Sequence, residues 1–421
     1  MARHPPVIRS SPACVEPVMT ITTSAAPAER QPGLCATLLN RVARRARFGS
    51  IDIVQPDGLM SHVDGAEDGP RAVLHMHAPR LLWRLWSGGD LGFATAYIDG
   101  DCDTPDLDAL LHWALANESL LAPALESGPA ARLAALTHRL RPNTRRGSRR
   151  NIHRHYDLGN RFYESWLDAT MTYSAAWFGD RPELTLEEAQ HAKFERIAEM
   201  ADLHAGQRVL EIGCGWGGFA LWAARERGCQ VTAITISPAQ HARASERVAE
   251  AGLQERITVE LVDYRDVQGC FDRIVSIEMM EAVGENFWPL YAATVRDRLA
   301  PGGRAVIQVI TIDEAFFEAY RRRADFIQTY IFPGGMLPSR ERVDAVMAAA
   351  GLTGTDDVGF GADYARTLRC WRTAFESAWP AIREQGFDER FRRMWRYYLS
   401  YCAAGFDIGR IDVRLFGLAR P

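Results

Sequence analysis

Lysine is almost absent from this chain: Lys193 stands alone among 49 basic residues, and all the others are arginine. Arginine suits planar recognition of phosphate, but a bias spread over the whole length reads as a GC-rich genome and carries no function. Net charge is also small. The 49 Lys and Arg against 53 Asp and Glu leave −4, so no global field draws the chain to nucleic acid, and any polyanion contact must come from a local patch. The eight cysteines, at positions 14, 35, 102, 214, 229, 270, 370 and 402, form no CxxC pair. That removes zinc knuckles and dithiol redox motifs and points to the cytoplasm. No run approaches about 18 apolar residues and the N-terminus has no continuous apolar stretch, so neither a membrane span nor a secretory signal is expected. Contact with lipid would be peripheral, on the inner face of a membrane.

What is present resembles an ordinary globular protein, with 421 residues, 47% hydrophobic, 24% charged and 10% aromatic. Such a length suggests about two or three folding units. Residues 1–32 are rich in Pro, Ser, Thr and Ala without periodicity and read as a disordered tail. Residues 33–128 read as a small α+β domain, with an amphipathic start (LCATLLNRVARRARFG), alternating segments (SIDIVQPDG, RAVLHMHAP) and apolar helical stretches (DLDALLHWALAN). Residues 129–152 are a basic linker, with Arg139, Arg141, Arg145, Arg146, Arg149 and Arg150 running toward Arg154. It fits either a solvated hinge or a patch for anionic headgroups. From 153 to 421 β-rich runs alternate with amphipathic helical stretches. RVLEIG, QVTAITI, ITVELV, FDRIVSI and GRAVIQVIT are the strands of a doubly wound, mostly parallel α/β sheet. A helical insertion at 313–330, a short strand near 354–358 and a last strand IDVRLFGLA follow.

The segment VLEIGCGWGGFALWAA places glycines between a buried strand and a helix, where backbone comes close to a nucleotide-like ligand at the helix N-terminus. Gly213, Gly215 and Gly218 also satisfy GxGxxG, so the glycines alone do not separate NAD from S-adenosylmethionine. Glu211, two residues before the first glycine, fits the E/DxGxGxG pattern of S-adenosylmethionine methyltransferases, which includes Gly217. The acid that NAD enzymes place after the second strand is missing: Thr235, Ile236 and Ser237 stand there, with Gln240 on the next helix. Asp263 and Tyr264, after the third strand, are the candidates for flanking adenine. An NAD(P)-dependent oxidoreductase is the competing reading.

With HYDLGNRFYESWLD (155–168), MTYSAAWF (171–178), TISPAQ, DYRD, FDRIVSIEMMEAVG, YIFPGGMLPS, ADYARTLRCW and YYLSYCAAGF, the chain from about Asn151 to Pro421 closely resembles the cyclopropane fatty acid synthase family, including the mycolic acid methyltransferases. The resemblance implies a class I methyltransferase-like seven-stranded sheet with a helical substrate insertion. It also implies methyl transfer from S-adenosylmethionine to the double bond of an unsaturated acyl chain in a membrane phospholipid, giving a cyclopropane fatty acid, and a homodimer. An alkene is a poor nucleophile, so the methyl must be held in line in a dry slot and the carbocation stabilised, as aromatic faces do. Tyr156, Tyr173, Tyr330 and Phe332 lie in the matching motifs; Tyr173 and Ser174 are expected beside the cofactor.

The family's base is a bicarbonate held by a Cys, a Glu, two His, a Tyr and nearby backbone. Glu281, Tyr364 and the backbone at Ile310 match; the Cys position is Ala175, and the His positions are Ala282 and Gln308, which puts bicarbonate in doubt. Glu278, three residues before Glu281, is a compensating acid if a helical turn sets both on one face. If the proton is taken from the new methyl, the ring closes; if from a neighbouring chain carbon, a methyl-branched unsaturated chain results. A non-catalytic lipid-binding protein is the reading from another class. His153 and His155 lack further ligands at metal spacing, so no metal is expected, and Cys402 is read as structural.

Overall fold

The computed structural model describes residues 33–125, 158–322 and 324–421. The expected tail 1–32 and linker 129–152, together with His153, His155 and Tyr156, lie outside the described residues. The N-terminal part runs α1 (Leu34–Ala43), β1 (Phe48–Val54), β2 (Met60–Asp64), β3 (Glu67–Met76), α2 (Arg80–Ile98), β4 (Cys102–Asp103), α3 (Leu107–Ala116) and α4 (Glu118–Leu125). Its sheet has the order β2-β1-β3-β4. Alternation in β1 turns Ile51 and Ile53 inward, 3% and 1% exposed, as a half-buried strand requires. Buried Asn117 ties β1 to the end of α3: its Oδ1 accepts from the N–H of Arg47 (2.8 Å) and Phe48 (3.0 Å), and its Nδ2 donates to Phe48 O and Trp113 O, both at 2.9 Å. Helix α2 is broken at Gly89, with φ 57° and ψ −129°, a conformation open to a residue without Cβ.

The C-terminal part runs α5 (Asn160–Glu164), α6 (Leu186–Ala201), β5 (Arg208–Ile212), α7 (Gly218–Glu226), β6 (Gln230–Thr235), α8 (Pro238–Glu250), β7 (Ile257–Leu261), β8 (Phe271–Ile277), α9 (Met280–Val283), α10 (Trp288–Arg298), β9 (Leu299–Ile312), α11 (Glu314–Arg322), α12 (Arg340–Ala349), β10 (Thr353–Gly359), α13 (Gly361–Glu384), α14 (Glu389–Asp407) and β11 (Ile411–Ala419). The seven-stranded sheet has the order β10-β11-β9-β8-β5-β6-β7. The five strands from β9 to β7 are parallel, β11 is antiparallel to β9, and β10 is antiparallel to β11. Val209 to Ile212 are all buried, as expected of a strand covered on both faces. Side-chain caps set the helix starts: Thr185 and Glu188 form a capping box on α6, and Ser237, Ser339 and Asp388 cap α8, α12 and α14. After β5 the chain turns to β6 on one side, whereas β8 lies on the other. The loops leaving β5 and β8 therefore diverge and open a crevice at the carboxyl ends of the strands.

The two parts meet along α14. Arg393 bonds Asp103 (2.8 Å) and the carbonyl of Cys102 (2.7 Å), Arg390 bonds Asp99 (2.8 Å), and His112 bonds Asp407 (2.8 Å). Among the described residues no helix is long and apolar enough to cross a membrane, and no group of three or more His, Cys, Asp or Glu is placed to hold a metal ion.

Candidate active site

The crevice deepens into a cavity of about 430 Å³ walled by the glycine loop, the ends of β6 and β8, and residues of α14. Gly213 and Gly215 have φ of 85° and 53°. A Cβ on Gly213 would come within 2.9 Å of Met279, whereas one on Gly215 would project into open space within the cavity. This is the close backbone approach that a bound nucleoside needs. Glu211 is 3% exposed, and its Oε2 has no partner. Burial pushes its carboxyl up to about 8, so it is a group awaiting a donor. Thr235 donates to Gln240 Oε1 at 2.8 Å and orients that amide at the cavity wall. Tyr173, Ser174, Ile236, Asp263 and Tyr264 complete the wall. Asp263 is already held by Arg265, at 2.8 and 2.6 Å. An open glycine cradle beside a buried carboxyl with one unpartnered oxygen fits S-adenosylmethionine.

A second polar cluster lies on the same wall. The Glu278 carboxylate accepts from Ala175 N–H (2.9 Å) and Gln308 Nε2 (2.7 Å) on Oε1, and from the Tyr364 hydroxyl (2.6 Å) on Oε2. Positions 175, 308 and 364, which the resemblance assigns to bicarbonate, thus give their donors to a side-chain carboxylate. The residues present do not fit a bicarbonate ion there. Glu281 accepts from the Ile310 N–H, and its Oε2 is unpartnered. Burial first, then the neighbouring Glu278, push Glu281 up to about 8. Burial also raises Glu278, against the pull of its three donors and of Lys193. The three donors to Glu278 favour its carboxylate form, whereas the neighbouring charge favours the protonated form of Glu281.

In the sequence Lys193 stands out only as the single lysine. It is fully buried on α6, and its Nζ donates to Ser174 Oγ at 2.6 Å. Burial lowers it to about 7, while Glu278, Asp168 and Glu211 pull it back up. Gln190, one turn earlier, donates to Ser174 O at 2.9 Å. From the other side Thr367 accepts from Ala176 N–H (3.1 Å) and Asp363 from Phe178 and Gly179 N–H (3.0 Å each). Residues 174–179 are therefore clamped between α6 and α13, which aims Ala175 N–H at Glu278. The signal for Lys193 was its apolar helical phase with Phe194 and Ile197, both buried.

Several expectations need correction. Glu278 and Glu281 do not share a face through a helical turn. Glu278 precedes α9 in a left-handed conformation (φ 50°), and that turn brings its carboxylate to the cavity that Glu281 also lines. Gly217 and Ser237 do not line the cavity: Gly217 (φ 82°) starts α7, and the Ser237 hydroxyl caps α8. Gln308 acts through Glu278 rather than from the wall. Tyr330 turns away, its hydroxyl 3.0 Å from Thr95 Oγ1 of α2, because Ile327–Ile331 form a turn of π-helix that resets side-chain phase. Phe332 and Tyr173 do face the cavity, and the Tyr173 hydroxyl meets that of Tyr398 at 2.8 Å.

The sequence model of the mycolic acid cyclopropane synthetase family matches residues 143–416. Tuberculostearic acid methyltransferase UfaA1 of Mycobacterium tuberculosis is 38% identical over 398 residues, 91% of either chain. Cyclopropane-fatty-acyl-phospholipid synthase of Escherichia coli K12 is 35% identical over 351 residues, covering 80% of this chain and 84% of that protein. The crystal structure of mycolic acid cyclopropane synthase CmaA1 complexed with SAH and CTAB aligns with a TM-score of 0.61 at 31% identity, over 65% of this chain and 98% of the other. With a glycine cradle that fits the cofactor and a family model that matches residues 143–416, this chain belongs to the mycolic acid cyclopropane synthetase family and is an S-adenosylmethionine-dependent methyltransferase.

Proposed function

We propose that the protein methylates the double bond of an unsaturated acyl chain in a membrane phospholipid, with the Glu278 carboxylate as the built-in base, and leaves a methyl-branched unsaturated chain. The observation that carries this reading is the convergence of Ala175 N–H, Gln308 and Tyr364 on Glu278. The cofactor, when bound over the glycine loop, supplies an electrophilic methyl. Attack by the alkene leaves a cation on the adjacent chain carbon, and Phe332, Tyr398 and Phe406 offer aromatic faces to it from the cavity wall. Glu278 then accepts the proton whose loss restores a double bond. A carboxylate anchored to the turn after β8 by three donors cannot relocate as a free ion could, so its position fixes which proton is taken.

Methyl retention is supported by the relative named a methyltransferase, which matches over 91% of the chain. Ring closure is the second reading, favoured by the Escherichia coli phospholipid synthase and by the presence of Glu281 and Tyr364. Lipids from a host lacking its own cyclopropane synthase, expressing this chain, separate the readings by proton NMR. A CH₂ gain with a retained double bond, absent with Glu278→Gln, supports the proposal. Upfield ring protons would replace it with ring closure, and no CH₂ gain would leave a lipid-binding protein.

A further inference from the structure

A second cavity, of about 630 Å³, lies between the N-terminal sheet and α1 to α4, with Tyr397 and Tyr401 of α14 completing its wall. Leu39, Ile53, Leu74, Leu111 and Trp113 line its interior, and so apolar a space suits hydrocarbon better than water. Trp83 and Trp86 stand at its mouth, 63% and 48% exposed with rings 5.1 Å apart. Such residues settle at a membrane interface, where one end of the ring is apolar and the other wet. The break at Gly89 leaves Trp83 and Trp86 of the first half of α2 at the mouth while Ala94, Ala96, Tyr97 and Ile98 stay buried.

Asp90, Leu115, Glu118 and Tyr401 line both this cavity and the catalytic one. The two spaces thus share a wall, and on it Glu118 is ion-paired with Arg410. Along the path the lining is apolar, then charged, then apolar again. A single alkyl chain threading both cavities would carry bare methylenes past that charged junction, which is costly for the charged groups it would desolvate. A diacyl lipid has the matching order, with two hydrocarbon chains joined at a polar ester and glycerol centre.

We propose that the second cavity holds the other acyl chain of the same phospholipid molecule whose unsaturated chain enters the active site. The proposal rests on the reading of the substrate as a phospholipid. It makes the N-terminal part a selector for diacyl lipid rather than a membrane tether alone.

The test uses the full chain with dioleoyl phosphatidylethanolamine or oleoyl lysophosphatidylethanolamine in detergent micelles. Leu111→Trp and, at a partly buried wall position, Leu85→Trp fill the second cavity. Each is expected to lower kcat/KM for the diacyl lipid by about tenfold or more, the effect of a few methylenes losing their burial, and for the lyso lipid by less than about twofold. Retained lyso turnover also shows that the variant is folded. Equal loss on both lipids, or loss on neither, overturns the proposal. If the unaltered protein methylates neither lipid, the substrate reading fails separately. Binding then decides: tighter binding of saturated diacyl lipid than of its lyso form, with the difference abolished by Leu111→Trp, sustains the second slot, and equal binding removes it.

Discussion

Glu278 draws its three donors from separate parts of the chain, at Ala175, Gln308 and Tyr364. Its backbone accepts a left-handed φ of 50°, a cost of about 1–3 kcal/mol that persists only where the surroundings over-determine it. Here three donors and the N–H of Glu278 itself, bonded to Gln308 O at 2.8 Å, do so. Glu278→Gln keeps the shape and removes the base, so turnover should fall by about 10²- to 10⁴-fold with cofactor binding unchanged by calorimetry. Lys193 is a positioning residue whose charge favours the carboxylate form of Glu278. In Lys193→Met that pull is gone, and the acidic limb of the rate–pH profile should move to higher pH. A uniform drop in rate with no movement of the limb would make Lys193 merely structural. Glu281 supplies a stability signature. Its carboxyl rises from the ordinary 4.5 to about 8 on folding, so between those values the folded state holds a proton that the unfolded chain has lost. Stability from this group is full below about 4.5 and is lost as pH rises to about 8. Denaturant melts of Glu281→Gln should show a shallower decline over that window than the unaltered protein. The sequence made the acids visible, but not the positive φ that aims Glu278, because no local pattern marks a strained non-glycine residue.

At the scale of elements, strands and the loop between β5 and α7 were legible, since buried runs bounded by glycine are written locally. The edge strand near 354–358 extends to Thr353–Gly359, paired with β11 from Thr353↔Ala419 to Gly359↔Arg414. Less legible was the π-helical turn at Ile327–Ile331, which turns Tyr330 toward α2, because helical periodicity assumes an unbroken phase. Gly217 and Ser237 likewise share a motif with the cavity residues yet serve the starts of α7 and α8. Proximity in sequence to a ligand loop therefore does not assign a contact. Gly215→Val tests the cradle itself: a branched residue at φ 53° is strained and fills the space reserved for the cofactor. Cofactor affinity should fall by about tenfold or more, corresponding to at least about 1.4 kcal/mol, read by calorimetry with S-adenosylhomocysteine. Unchanged affinity would place the cofactor elsewhere.

Across the whole molecule, the N-terminal sheet and the methyltransferase sheet are joined by Arg390 and Arg393 of α14 to Asp99 and Asp103. That join could not be read from composition, since it pairs residues about 290 positions apart. It brings Glu118 of α4 to the rim of the catalytic cavity, so lipid selection and chemistry share a wall. In the proposed chemistry a carboxylate of the chain stands in for a free bicarbonate. The most direct measurement is the rate and product of the purified protein on a monounsaturated phospholipid with methyl-labelled S-adenosylmethionine, in buffer stripped of bicarbonate and again with bicarbonate restored. The same rate is expected in both buffers, with a labelled methyl branch beside a retained double bond. A rate that rises when bicarbonate returns, or label appearing in a cyclopropane ring, would contradict it.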